Sequence, residues 1–144
     1  MTRVLASLGL TFSVLSLLAL PWSRYGDIEI ALHRFPGWQV HAASALALQA
    51  LVLWSLFRPG RLSRARLGAG IACAATTVAS AIVLGSQYNN ATAFFKDVIP
   101  LVWPTPGLGP FVAATAALVS LGALILAHVT GSRRAQPLRA AARG

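Results

Sequence analysis

The sequence predicts an all-α membrane protein built as a bundle of four transmembrane helices. Hydrophobic residues make up 56% of the chain and charged residues only 10%, whereas soluble domains carry roughly 25% charged residues. Four apolar stretches, at about 4–22, 38–57, 67–86 and 108–129, contain no Asp, Glu, Lys or Arg. Each is close to the roughly 20 residues that cross the hydrocarbon core. Because that core offers no water to backbone groups, each stretch is predicted to be a helix.

The first stretch also has one feature of a secretory signal, since Arg3 precedes an apolar run. The small residues of a cleavage site are missing, because Leu18, Leu20 and Trp22 occupy that region beside Pro21. We therefore expect this stretch to remain as a helix. Together the four predicted helices form one domain over residues 1–131.

Basic residues are distributed unequally between the two ends of the predicted bundle. The end that holds all three acidic residues, Asp27, Glu29 and Asp97, has only three basic residues. The opposite end holds nine of the 12 basic residues: Arg3, Arg58, Arg61, Arg64, Arg66, Arg133, Arg134, Arg139 and Arg143. The positive-inside rule places this arginine-rich end in the cytoplasm. The sequence thus predicts a multi-pass protein of the cell membrane with both termini cytoplasmic and a disordered basic tail at 132–144.

The arginines at the predicted cytoplasmic end are candidate contacts for anionic lipid. Cationic clusters beside a membrane are drawn to anionic headgroups by about 1 kcal/mol per charge. Nucleic acid is not predicted as a partner, because long apolar stretches separate the basic residues. The predicted partner is a bilayer with an anionic inner leaflet, and the candidate lipid contacts are Arg58, Arg61, Arg64, Arg66, Arg133 and Arg134.

Two predicted outer loops, residues 22–37 and 87–107, carry most of the aromatic residues. Aromatic rings gather at the membrane interface, where one part of the ring meets acyl chains and the other meets water. The segment 93–103 is too short to span, and Pro100 and Pro104 interrupt this region, so an interfacial helix or a re-entrant segment is predicted. The candidate outer-face contacts are Trp22, Tyr25, Trp38, Phe94, Phe95 and Trp103.

Small residues recur every three or four positions in each predicted helix, which places them on one helix face. Such residues let two backbones approach closely, and close packing drives helix association in lipid. An alanine-rich composition also produces such patterns by chance. The full patterns are Ala6, Gly9, Ser13 and Ser16; Ala43, Ala47 and Ala50; Gly68, Ala72, Ala75 and Ala79; and Ala113, Ala116, Ser120, Ala123 and Ala127. The candidate packing residues are Gly9, Ser13, Ala47, Gly68, Ala72, Ala75, Ser120 and Ala123.

Polar residues at membrane depth are few and uncharged. Gln49 in the second helix and Thr76, Thr77 and Ser80 in the third are predicted to form hydrogen bonds between helices. Transport driven by protons or ions usually needs an ionisable group in the membrane interior. The predicted interior has no carboxylate or lysine, so such a transporter is not expected.

The three histidines do not predict a cofactor or a metal site. His41 lies at the outer end of the second helix and His128 at the inner end of the fourth, too far apart for two axial ligands of one haem. His33 and His41 together fall short of the three or four ligands that a metal normally takes. We therefore expect solvated histidines at the interface, and neither a cofactor nor a metal.

The remaining titratable residues of the outer loops match no catalytic motif. Asp27 and Glu29 alternate with Ile28 and Ile30, which indicates a short segment with one wet face. Asp97 and His33 lie elsewhere in these loops. A catalytic site needs defined geometry as well as titratable groups, so no catalytic residue is predicted. The single cysteine, Cys73, excludes a disulfide within the chain.

Several short motifs together resemble a known group of proteins. These are Pro21-Trp22 after the first helix, Gly37-Trp38 before the second, the arginine-rich turn, and the run from Pro106 to Gly109 before the fourth. The chain resembles the uncharacterised four-helix integral membrane proteins of high-GC Gram-positive, actinobacterial type. The resemblance implies a plasma-membrane location and no particular activity or functional residue.

The function expected from these features is that of a non-enzymatic membrane protein that acts through helix packing or outer-loop contacts. Such a protein would be an accessory subunit of a membrane complex or a self-associating one. A holin-like permeation or lysis protein is an alternative, because small multi-pass proteins with basic tails include such proteins. A membrane enzyme or a lipid-handling protein that uses outer-face residues is another alternative.

Overall fold

The computed structural model describes residues 1–57, 63–96 and 100–141, with side chains described as far as Thr130. In this part of the chain, five α-helices and three short strands follow one another. They are α1 (Thr2–Leu18), β1 (Ser23–Tyr25), β2 (Ile28–Ile30), α2 (Trp38–Phe57), α3 (Arg64–Ser86), α4 (Ala91–Phe95), β3 (Pro104–Pro106) and α5 (Gly109–Ala141). A single 3-10 turn, Leu32–Arg34, lies between β2 and α2.

Three of these helices are long and apolar enough to cross a membrane. They are α2, α3 and the first part of α5, Gly109–Thr130. The prediction of a mostly helical protein with long apolar helices is confirmed to this extent. The α1 helix is also apolar but has only 17 residues. The three-stranded sheet was not predicted.

Two helix ends differ from the predicted ones. The α1 helix ends at Leu18 rather than near residue 22, because Pro21 has no N–H to continue the helix and disfavours helical geometry in the residue before it. The α5 helix continues to Ala141, where a disordered tail was predicted. Eight of the eleven residues from Gly131 to Ala141 are alanine, arginine, glutamine or leucine, which favour helix, whereas Gly131 and Pro137 do not.

The α1 and α5 helices pack along each other through small residues from both sides. On α1 the buried residues are Ala6, Gly9, Ser13 and Ser16, and on α5 they include Ala113, Ala116, Ser120 and Ala123. A Cβ atom on Gly9 would overlap the hydroxyl group of Ser120. Two predicted packing residues, Gly9 and Ser120, thus lie at this contact, and two others, Ser13 and Ala123, are buried on the same two helices.

The α2 and α3 helices pack through faces other than the predicted ones. Ala47 of α2 and Gly68, Ala72 and Ala75 of α3 are exposed. The buried faces are His41, Ala45, Leu48, Gln49 and Val52 on α2, and Gly70, Ala74, Thr77, Ala81 and Leu84 on α3. These faces carry the polar groups His41, Gln49 and Thr77, which gain from hydrogen bonding between helices.

A matched pair of glycine substitutions tests the α1–α5 contact. We expect Gly9→Ala to lower the free energy of unfolding by about 1–3 kcal/mol, because its methyl group has no room beside Ser120. Gly68→Ala is the control, since a Cβ atom there meets no other atom within 4 Å. It should leave stability unchanged or raise it by up to about 1 kcal/mol. Denaturant unfolding in detergent micelles measures both, and equal effects would contradict the described packing.

Candidate functional site

The segments between the helices fold into a cap over one end of the helical bundle. Its sheet has the order β2-β1-β3, with both pairs antiparallel. Ser23 lies opposite Ile30 in β2 and Pro106 in β3. The β1–β2 hairpin turns through Gly26 and Asp27, and Gly26 has a φ of 60°, which glycine adopts readily. The cap thus joins two chain segments that are far apart in sequence.

Trp22 contacts both the cap and the helices. It is fully buried, and its indole N–H donates to the Ser16 carbonyl of α1 at 2.9 Å. Its backbone N–H donates to the Ile30 carbonyl at 2.8 Å, and its carbonyl accepts from the Gly107 N–H at 3.2 Å. The ring also packs edge-on against His41 of α2, with centroids 4.9 Å apart. Trp22 therefore contacts α1, α2, β2 and the segment before α5.

Two glycines make this arrangement of Trp22 possible. A Cβ atom on Gly107 would overlap the Pro21 carbonyl, and one on Gly109 would overlap the Trp22 ring. The Gly109 N–H donates to the Pro21 carbonyl at 3.0 Å. The chain before α5 can approach Trp22 this closely only where side chains are absent.

The aromatic residues predicted to contact partners at the outer face are mostly packed against each other. Trp22 and Tyr25 are buried, and Trp38, Phe94 and Phe95 are half-buried. Tyr25 meets Phe95 edge-on at 5.0 Å, and such pairs contribute beyond their buried area. The rings gain more from mutual burial than from lying on the surface, and of the six predicted residues Trp103 alone is strongly exposed, at 92%.

A helix covers only the start of the segment for which an interfacial helix was predicted. The α4 helix has five residues, Ala91–Phe95, and the Asn90 side chain caps it by accepting from the Ala93 N–H. From Pro100 the chain is irregular, with bends at Leu101 and Val102, and then forms β3. Residues 97–99, including Asp97, lie outside the described residues.

A polar core lies beneath the cap and joins the four longest helices. His41 Nδ1 is 2.9 Å from Ser80 Oγ, the hydroxyl oxygens of Thr77 and Ser44 are 2.9 Å apart, and Gln49 Nε2 donates to Ser120 Oγ at 3.0 Å. The bonds predicted for Gln49, Thr77 and Ser80 are therefore present, whereas Thr76 is exposed. The Ser16 hydroxyl of α1 also donates to the Gly109 carbonyl at 3.2 Å.

The prediction of a solvated His41 is wrong. The side chain is buried, at 1% exposed, because it lies between the Trp22 ring and Ser80. Its position one turn before Ala45 and two turns before Leu48 and Gln49 places it on the buried face of α2. That spacing was visible in the sequence.

Charged residues of the cap lie on its surface. Arg24 and Glu29 form an ion pair of 2.7 Å across the β1–β2 pair, with both side chains about half exposed. Asp27 and His33 are exposed. Across the described residues, His, Cys, Asp and Glu side chains form no group of three or more that would hold a metal ion.

The candidate lipid-binding arginines are described in part. Arg64 and Arg66 are exposed at the start of α3, and the Arg66 guanidinium lies 5.5 Å from the centre of the Trp54 ring. This contact holds the charge beside an aromatic ring, as cation–π pairs do. Arg58 and Arg61 lie outside the described residues, as do the side chains of Arg133 and Arg134 within α5.

A cavity of about 540 Å³ opens in the cap between α4 and the segment that leads into β3. Tyr25 and Tyr88 line it on one side and residues 100–104 on the other. The hydroxyl group of Tyr25 is buried and has no hydrogen-bond partner among the described residues. Burial raises the pKa of this phenol. Sequence reasoning missed this cavity, whose walls come from separate segments.

Comparison of the chain with known protein families, with curated proteins and with solved structures finds no match.

The contact between Trp22 and the segment before α5 can be tested at Gly109. Gly109→Ala should lower the free energy needed to open the cap by about 1–3 kcal/mol, because the added methyl group displaces the Trp22 ring. Trypsin cleavage at the exposed Arg24 and Arg34 should then be about tenfold faster, as the open form is more populated. Gly122→Ala, where a Cβ atom meets nothing within 4 Å, is the control in the same helix. Unchanged cleavage of Gly109→Ala would contradict the described contact between position 109 and the Trp22 ring.

The Gln49–Ser120 hydrogen bond predicts a non-additive pair of substitutions. Ser120→Ala leaves the Gln49 amide without its partner, and the Gln49 carbonyl already has no partner among the described residues. We expect a loss of about 1 kcal/mol in the free energy of unfolding. Adding Gln49→Leu removes the unpaired amide and should restore most of that loss. Unfolding of the two single variants and the double variant measures this, and strictly additive losses would contradict the bond.

Proposed function

We propose that this protein is a non-enzymatic integral membrane protein of four spans that acts through helix packing, as a self-associating subunit in the cell membrane. Three helices have the length and composition of spans. At 1.5 Å per residue, α1 is about 25 Å long, and the apolar residues Ala19, Leu20 and Pro21 follow it before the cap begins. Its packing along α5 supports its crossing the bilayer with that helix.

The proposed orientation puts the cap outside and both termini in the cytoplasm. The chain enters and leaves the cap through the ends of α1, α2, α3 and α5. Arg3, Arg64 and Arg66 lie at the other ends of α1 and α3 and are exposed. The positive-inside rule supports a cytoplasmic position for these arginines, beside anionic lipid.

The observation that carries the proposal is the exposed face of α3, which we call the small face. Over about four turns of α3 this face has no side chain larger than that of threonine, and it is exposed in the part of the chain that the structure describes; Ile71, 47% exposed, lies at its edge. Its residues are Ala65, Gly68, Ala69, Ala72, Ala75, Thr76 and Ala79. The exposed face of α2 is different, because Leu46, Leu53, Trp54 and Phe57 project from it. Large side chains suit contact with lipid, whereas a small face suits close approach of another helix.

Association through the small face is naturally symmetric. Two copies of α3 that meet face to face would bring their backbones close, because only the small side chains of alanine, glycine and one threonine lie between them. A two-fold pair of this kind buries the same patch on both subunits. The proposal therefore needs no second protein, and a heterologous partner helix would use the same face.

Leucine substitutions on the small face test the proposed association. Ala72→Leu and Ala75→Leu should weaken self-association about tenfold or more in liposomes, because each branched side chain separates the two backbones. Ala47→Leu is the matched control, since Ala47 is exposed on α2 among large side chains. Energy transfer between donor-labelled and acceptor-labelled copies, diluted with lipid, measures the dissociation constant. A monomeric wild-type protein, or equal energy transfer in all variants, would contradict the proposal.

A further inference from the structure

We propose that the cavity in the cap binds an uncharged amphiphile from the membrane, with an apolar chain and an oxygen that accepts a hydrogen bond from Tyr25. This binding site is independent of the small face of α3, which lies on a different element. The proposal stands on the size of the cavity, the chemistry of its walls, an unpaired buried hydroxyl group, and an exposed apolar rim.

The size of the cavity fits a small-molecule ligand. Its volume of about 540 Å³ lies within the roughly 300–1,000 Å³ of known ligand pockets. Pockets of this kind are mostly apolar, with a few polar groups that fix orientation. The cap cavity has this composition, since Pro100, Leu101 and Val102 line it together with Tyr25 and Asn89.

The walls of the cavity favour an uncharged ligand. All the side chains described as lining it are uncharged, and two tyrosines and one asparagine provide its polar groups. A charged group that left water for these walls would lose its hydration without gaining an opposite charge. A hydroxyl or ester oxygen loses much less and finds a donor in the wall.

Tyr25 supplies the specific contact. The side chain is 2% exposed, and its hydroxyl group has no hydrogen-bond partner among the described residues. Burial without a partner is costly for a hydroxyl group. The ring is held by edge-on contacts with Phe94 and Phe95 and by the pairing of β1 with both neighbouring strands. The ring is thus fixed in the wall of the cavity, and a ligand oxygen that reached the hydroxyl group would supply the partner that it lacks.

The rim of the cavity indicates that the ligand comes from the bilayer. Leu101 is fully exposed and Trp103 is 92% exposed, although both belong to a cap whose other large aromatic residues are mostly covered. Exposed tryptophan is typical of the membrane–water interface. An amphiphile at the interface would reach the cavity with its chain against these side chains and its oxygen toward Tyr25.

Photolabelling in liposomes tests the ligand class. The protein is reconstituted in phosphatidylcholine liposomes with a trace of a monoacylglycerol that carries a diazirine on its chain, and labelled peptides are mapped after irradiation. Label should appear in 88–96 and 100–104. A fatty acid of the same chain, which is charged, and the corresponding hydrocarbon, which has no oxygen, should label these segments at least fivefold less. Equal labelling by all three probes would show partition into the bilayer only and would overturn the proposal.

Variants then test the cavity itself. Tyr25→Phe keeps the ring and removes the hydroxyl group, so competition by unlabelled monoacylglycerol should be about five- to tenfold weaker, the effect of one hydrogen bond. Ala91→Phe places a ring in the cavity and should abolish labelling. Arg24→Gln, an exposed neighbour on β1, should label as the wild type does.

Thermal unfolding separates ligand binding from a structural role of Tyr25. Without added monoacylglycerol, Tyr25→Phe should be as stable as the wild type or more stable, because the hydroxyl group it removes has no partner. Added monoacylglycerol should raise the melting temperature of the wild type by more than that of Tyr25→Phe. Undiminished labelling of Tyr25→Phe and Ala91→Phe would overturn the proposal even if self-association through α3 is observed.

Discussion

The burial of Trp22 at the end of the helical bundle is the constraint on which the other contacts depend. One side chain meets the last turn of α1, the buried histidine of α2 and the chain before α5, while its backbone pairs with β2 and accepts from Gly107. Glycine at 107 and 109 and the helix stop at Pro21 follow from this position, since each provides space or direction for the indole. The cap and the helices are therefore one packed unit.

Beneath Trp22, both close packing and polar contacts join the helices. Small side chains bring α1 and α5 together, and hydrogen bonds at Ser80, Thr77 and Gln49 join α2 to α3 and α5. In an apolar solvent such bonds contribute about 0.6 kcal/mol each on average. Their number is small, so specificity comes from the combination of close approach and paired polar groups. The small face of α3 offers close approach and a single polar group, the Thr76 hydroxyl.

The sequence was informative about apolar length and much less so about which helix faces pack. Apolar runs of about 20 residues predict helices regardless of context, and Gly9 and Ser120 stood out among larger neighbours. In α2 and α3 alanine occurs on every face, so spacing alone could not select Ala45 and Ala74 over Ala47 and Ala72. The Gly26-Asp27 pair was a usable hairpin signal. No local signal marked β3. Two of its three residues are Pro104 and Pro106, and proline is rare in strands away from sheet edges. The cavity beside Tyr25 also had no local signal, because its walls come from segments that are distant in sequence.

The order of the cap sheet has a consequence for how the chain is assembled during synthesis. The hairpin of β1 and β2 is local, but β3 joins it only after α2, α3 and α4 have been made. Contacts between distant segments form late, because the intervening chain must first be brought together. Until β3 and Gly107 arrive, the carbonyl of Trp22 lacks the donor that it has in the finished protein. Closure of the sheet thus requires that the chain has been made as far as Gly107, and a chain cut short before residue 104 would leave one edge of β1 and the Trp22 carbonyl without the partners that they have in the finished protein.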